Sequence, residues 1–129
     1  MQKPSSWGTG VRGTVGSAAQ TVATTKYSVH TAAQCPLNRY GDRLVQITAK
    51  CDNAYTLYLY GSNEAFASGA DAGAADGTLI DTWSACAATA LDGTCRYGRI
   101  AGFKYFAPVL YQAGGDNATV TLTYQTYND

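Results

Sequence analysis

With 129 residues the chain is long enough for one domain with one core. Charged residues make up 14 % and the formal net charge is zero; this excludes the clustered basic patch that nucleic-acid binding needs. No apolar run reaches the length of a membrane helix. Ten Tyr and 14 Gly, with many Thr and Val, favour strands joined by tight turns.

Residues 1–23 carry Gly8, Gly10, Gly13 and Gly16 among Ser, Thr, Ala and Gln, with only Trp7, Val11, Val15 and Val22 as larger apolar groups. Such a segment cannot build a core by itself. It reads as an extended arm that orders on something else or as a disordered tail, and Trp7 is the residue that most calls for a pocket. The first eight residues lack the apolar segment of a secretory signal. Residues 24–129 form the domain proper. Thr24–Thr31 alternates and predicts a strand, and Ala32–Asp42, with Pro36 and Gly41, predicts a loop. Arg43–Lys50 alternates again, with Val45, Ile47 and Ala49 facing in and Gln46, Thr48 and Lys50 facing out.

Cys51–Ala54 is expected to be a turn that joins this strand to Tyr55–Tyr60 in an antiparallel hairpin. Tyr55, Leu57 and Leu59 take one face of the second strand, and Thr56, Tyr58 and Tyr60 take the other. Both faces carry large side chains, so this strand is expected at the centre of the fold, ending at the turn Gly61-Ser62-Asn63. Glu64–Thr78 reads as a long loop pinned by Phe66. Leu79–Ser84 predicts a short strand carrying Trp83, Ala85–Leu91 a loop, and Asp92-Gly93 a turn. Arg96–Ile100 and Gly102–Gln112 are apolar on both faces, and Pro108 argues for an edge or a bulge. Ala113–Asn117 is expected to close a hairpin to the last strand, Ala118–Tyr127, where Ala118, Val120, Leu122 and Tyr124 face the core. The whole predicts an all-β, antiparallel β-sandwich of seven or eight strands.

Charge is unevenly placed. The first 41 residues hold Lys3, Arg12, Lys26 and Arg39 and no acid, whereas Cys51–Cys95 holds six acids and no Lys or Arg. That asymmetry suits pairing within or between chains.

Catalytic chemistry finds little support. The single His30 sits on a predicted strand, with no Gly-x-Ser-x-Gly elbow to supply a nucleophile. Glu64, Asp71, Asp76 and Asp81 lie in or beside a Gly/Ala-rich loop, which holds a carboxylate pair poorly. Asp71, Asp76 and Asp81 lack the spacing of the helix–loop–helix calcium motif. Neither a catalytic residue, a metal nor a cofactor is expected. The four cysteines, Cys35, Cys51, Cys86 and Cys95, include no Cys-x-x-Cys pair. Disulfides Cys86–Cys95 and Cys35–Cys51 stand against four buried thiols as the two readings. Aromatic side chains on a rigid sheet also suit sugar stacking, with Tyr58, Tyr60 and Trp83 the foremost candidates.

The second half has a recognisable layout. A strand ending in Tyr60-Gly61-Ser62-Asn63 precedes an acidic, small-residue loop; a paired aromatic segment follows (Arg96–Ile100, then Phe103–Tyr111); the chain then runs Gly-Gly-Asp-Asn-Ala-Thr-Val-Thr-Leu-Thr-Tyr over Gly114–Tyr124. Over Leu44–Tyr127 this resembles small virion proteins of tailed bacteriophages, the capsid decoration (cement) and head auxiliary proteins. The four cysteines and the long Ala/Gly loop depart from that pattern. The resemblance implies a jelly-roll-like sandwich with no enzymatic activity, bound to the outer capsid surface and stabilising the shell. It implies synthesis in a host cytoplasm, assembly into the virion, a homo-oligomer, and the major capsid protein of the same particle as partner, with no nucleic acid or membrane contacted. An arm laid over neighbouring capsid subunits would have its counterpart in residues 1–23, with Lys3, Trp7, Val11, Arg12 and Val15 as contacts. The alternative is a carbohydrate-binding module used in host attachment.

Overall fold

The computed structural model describes residues 8–15, 19–23, 26–28, 43–66, 77–100, 102–112 and 114–128. These residues form nine strands and no helix: β1 (Gly8–Thr14), β2 (Gln20–Val22), β3 (Lys26–Tyr27), β4 (Arg43–Cys51), β5 (Tyr55–Ser62), β6 (Thr78–Cys86), β7 (Thr89–Arg99), β8 (Tyr105–Gln112) and β9 (Ala118–Asn128). Every pairing is antiparallel. One sheet, sheet A, has the order β1-β9-β4-β7, with β2 also on β9; the other, sheet B, has the order β3-β8-β5-β6.

Alternation in the sequence is what assigns the faces. Val45, Ile47 and Ala49 of β4 are fully buried, while Gln46, Thr48 and Lys50 are half-buried on the opposite side. Leu57 and Leu59 of β5, Phe106 and Leu110 of β8, and Val120 and Leu122 of β9 join them in one apolar core drawn from both sheets. Phe106 of sheet B meets Tyr124 of sheet A edge-on, with ring centroids 5.3 Å apart. The approach is close enough that a Cβ on Gly98 of β7 would lie 2.4 Å from Leu59 Cδ2 of β5.

Two expected hairpins are not formed. β4 pairs with β7 and β9, and β5 with β6 and β8, so residues 52–54 cross from one sheet to the other. The crossover is tied down by its polar side chains: Asp52 Oδ2 accepts from Thr119 N (3.0 Å), and Asn53 Nδ2 donates to Asp116 O (3.0 Å). The link from β8 to β9 likewise changes sheets rather than closing a hairpin. Its anchor is Gln112, fully buried, whose Nε2 donates to Val22 O and Asp116 O (both 3.0 Å). Gln112 Oε1 accepts from Gly114 N (2.8 Å) and from Asn53 Nδ2 (3.3 Å).

The leading segment orders on the chain itself. β1 runs along Thr123–Asn128 of β9 and β2 along Ala118–Val120, and Val15 N donates to Leu122 O at 2.8 Å between them. Val15 and Val22 are both buried in the main core. Only Lys26–Tyr27 of the expected strand Thr24–Thr31 is described as strand; the expected loop Ala32–Asp42, His30 and the Ala/Gly-rich residues 67–76 fall outside the described residues.

Some turn signals resolve differently. Gly61 lies inside β5, where a Cβ would meet Phe103 at 2.6 Å and Ile80 at 2.7 Å, so the glycine answers a close approach and not a turn. Asp92-Gly93 sits within β7. There the register jumps from Ala49↔Thr94 to Cys51↔Thr89, so the expected turn becomes a bulge. The loop expected over Ala85–Leu91 shrinks to Ala87 and Ala88 between β6 and β7. At Pro108 the edge expectation is met locally: β3 reaches only Gln112 and Tyr111, so Pro108 pairs with Leu59 of β5 and faces no described strand on its other side.

Candidate binding surface

The outer face of sheet B carries an aromatic platform. Residues directly opposed in an antiparallel ladder project to the same face. The register sets Tyr111 beside Tyr27 and Thr56, Val109 beside Tyr58, and Ala107 beside Tyr60. Ala107 and Val109 are fully buried and, with Phe66, form a second apolar cluster outside the main core; Tyr27, Tyr58, Tyr60 and Tyr105 pack onto it. The small residues of β8 leave room for the large residues of its neighbours, and that difference in size lets the rings lie over the sheet.

Ring geometry shows how closely the tyrosines associate. Tyr27 and Tyr111 have centroids 4.9 Å apart at 52°, Tyr27 and Tyr58 are 6.3 Å apart at 43°, and Tyr58 and Tyr60 are 6.2 Å apart at 41°. These tilted contacts lie within the range that aromatic quadrupoles favour. Lys104 Nζ stands 5.8 Å from the Tyr105 ring centroid. Burial pushes the Tyr60 hydroxyl pKa above its ordinary value, and the nearby Tyr27 and Tyr58 hydroxyls push it the same way. All five tyrosines are half-buried. Beside Tyr60 in the ladder stands Leu79, half of whose surface is open to solvent; among the described residues it is the one large aliphatic or aromatic side chain in the exposed class.

Of the predicted site residues, Tyr58 and Tyr60 are brought together here, and Trp83 is not. Trp83 opposes Leu57 in the ladder and packs against the main core, on the other side of the sheet. Tyr27, Tyr105 and Tyr111 complete the platform. For Tyr105 and Tyr111 the signal in the sequence was the double-sided apolar pattern of Tyr105–Gln112, which calls for a cover on both faces; Tyr27 joins them only through the pairing of β3 with β8. Among the arm residues, Val15 is corrected: it is fully buried in the chain's own core and is not a surface contact. Arg12 is exposed; Lys3, Trp7 and the side chain of Val11 lie outside what is described.

Cys51 is a buried free thiol, so the Cys35–Cys51 pairing is not made. Cys86 Sγ donates to Trp83 O at 3.3 Å; Cys35 and the Cys95 side chain are outside the described set. Asp81 Oδ1 accepts from Thr82 N at 2.8 Å, and Asp71 and Asp76 are not among the described residues. Among the described residues no three His, Cys, Asp or Glu side chains gather where they could hold a metal ion.

In comparisons with known proteins, no family model, no curated protein and no solved structure matches this chain.

Proposed function

We propose that this chain is a non-enzymatic virion structural protein, a capsid decoration protein, whose two sheets form a jelly-roll-like sandwich and whose tyrosine platform docks on the outer capsid surface. The observation that carries the reading is the platform itself: five tyrosines and the exposed Leu79 on one sheet face. Interface cores are enriched in aromatic residues and depleted in charge, and tyrosine is among the residues that carry most binding energy. The low charge content of the chain fits a surface covered by neighbours. The partner in this reading is the major capsid protein, and the docked unit is a homo-oligomer. Many copies on a repeating shell turn a modest contact into firm attachment and stabilise the shell by mass action. Lys3, Trp7 and Val11 are the arm contacts that supplement the platform in this reading; Val15 is buried in the core, and Arg12 lies on the outer face of the other sheet.

The test is co-sedimentation of the full chain with shells from its source, beside a Tyr58→Ala/Tyr60→Ala double variant. Stoichiometric binding by the parent and loss in the double variant support the reading. Equal binding by both, or none by either, refutes it. The same rings are a stacking surface for sugars, which favours the carbohydrate-binding alternative. Retention on a neutral glycan array that the double variant loses, with no binding to shells, would establish that reading instead.

A further inference from the structure

The outer face of sheet A has a different chemistry. Its register lines up two rows across three strands, Arg12–Gln125–Gln46 and Thr14–Thr123–Thr48. These six residues wall a groove of about 440 Å³, within the roughly 300–1,000 Å³ of small-molecule sites. Three strands span about 10 Å, the width of a short oligosaccharide. Every one of these side chains carries a hydroxyl, a carboxamide or a guanidinium, so the groove offers hydrogen bonds beside apolar surface from their methyl and methylene groups.

Local structure builds this groove. β1 slips against β9 between Thr9 and Arg12, a bulge that sets Arg12 opposite Gln125; bulges commonly re-aim a side chain toward a site. Gly13 follows, where a Cβ would lie 2.5 Å from the Tyr124 hydroxyl, so glycine lets β1 close over that ring. Gln46 Oε1 accepts from Tyr127 Oη at 3.1 Å, and Gln125 Nε2 donates to Thr126 O at 3.0 Å. Both carboxamides are thereby held before any ligand arrives, which lowers the entropic cost of binding.

Among the described side chains on this face the charged ones are basic. Lys50 opposes Thr121 and Arg99 opposes Leu44, on the same side as the groove rows; β1, β4 and β9 contain no Asp or Glu, and the side chain of Asp92, the one acid of β7, lies outside the described set. Asp52, beyond the end of β4, accepts from the backbone N–H of Thr119. We propose that this groove binds an anionic oligosaccharide. Arg12 takes the acidic group, whose planar or tripod oxygens suit the guanidinium fork. Gln46, Gln125 and Thr123 take the ring hydroxyls. The site lies on the sheet opposite the tyrosine platform and does not depend on the docking role of that platform.

Titration calorimetry of the full chain tests it with three probes: tetragalacturonate, a heparin-derived tetrasaccharide, and neutral maltotetraose. Binding of an acidic probe, weakened by added salt and absent for maltotetraose, is the expected result; which acid binds tells carboxylate from sulfate recognition. Arg12→Gln should weaken binding about fivefold, the size of one exposed charge contact. Gln46→Ala with Gln125→Ala should weaken it about tenfold or more. Ser84→Ala, at an exposed position of β6 in the other sheet, should leave it unchanged. The proposal is overturned if neither acidic probe binds, if maltotetraose binds as tightly, or if the groove variants bind like the parent while melting at the same temperature. Failure of shell sedimentation leaves this site standing, and failure of these titrations leaves the shell reading standing.

Discussion

Replacing Gln112 by Met tests whether the sheet-to-sheet links are held by one buried carboxamide. Met keeps the length and most of the volume of Gln and removes every polar contact. Four hydrogen bonds are lost: two from Nε2 to Val22 O and Asp116 O, and two into Oε1 from Gly114 N and Asn53 Nδ2. Asp116 O retains its bond from Asn53 Nδ2. A buried acceptor stripped of its donor costs about 1–3 kcal/mol, and each further bond contributes about 0.5–1.5 kcal/mol. The Met side chain returns part of this through apolar burial, which leaves a net loss of about 3 kcal/mol. For a chain of this length each kcal/mol moves the melting temperature by about 4 °C, so the drop should be about 12 °C by calorimetry. Gln112→Glu separates polarity from shape. Its carboxylate would face two carbonyl oxygens, so this variant should be least stable at neutral pH and recover as the pH falls toward about 4. A shift below about 3 °C for Gln112→Met would refute the assignment of Gln112 as the link between the crossovers.

Three further outcomes follow from the geometry. Gly98→Ala should cost about 1–3 kcal/mol in chemical denaturation, because its Cβ meets the buried Leu59; an unchanged midpoint would show that the sheets have room to separate. Burial is the largest cause holding the Cys51 thiol above the ordinary thiol range; the nearby Asp52 carboxylate adds to it and a backbone hydrogen bond from Asn53 opposes it. The unfolded chain therefore releases this proton first, so stability should fall as pH rises from about 8.5, where an unperturbed thiol titrates; Cys51→Ala should flatten that decline, and parallel pH profiles for parent and variant would contradict it. Tyr58→Phe should keep shell binding while Tyr58→Ala/Tyr60→Ala loses it, since the platform acts through its rings; equal loss in both would move the contact to the hydroxyls.

What was legible in the sequence was alternation. The inward faces of β4, β5 and β9 were readable because their apolar residues recur every second position and one face is buried. Connectivity was not readable. A short polar link between two alternating strands has the same composition whether it closes a hairpin or crosses to another sheet. What decides is the destination of its side chains, and Asp52 and Asn53 bond to Thr119 and Asp116, more than sixty residues away. Gly61 misled for a related reason: a glycine between a strand and a polar dipeptide looks like a turn, and only the Phe103 ring against it shows otherwise. Within the candidate surface, Tyr58 and Tyr60 were found through their spacing on one strand. Tyr27 and Tyr111 belong to strands far away in sequence, and pairing alone brings them together. Trp83 was misplaced because β6 is an edge strand whose exposed and half-buried residues follow no clean alternation.

The two sheets solve the same problem in opposite ways. β4 and β9 put Thr, Gln, Lys and Tyr on most of their outer positions, with the buried Leu44 as the apolar exception, so sheet A meets water mainly with polar groups. β8 has no such option: Tyr105, Ala107, Val109 and Tyr111 alternate with Phe106, Pro108, Leu110 and Gln112, and neither set is charged. One set fills the core, and the other must be shielded. The chain shields Ala107 and Val109 with Phe66 and tyrosine rings, leaving those rings half-buried with Leu79 beside them. A tyrosine layer tolerates water through its hydroxyls and still favours an apolar partner through its rings. The asymmetry ranks the two faces: covering the rings and Leu79 of sheet B would remove more apolar surface from water than covering the hydroxyls and amides of sheet A.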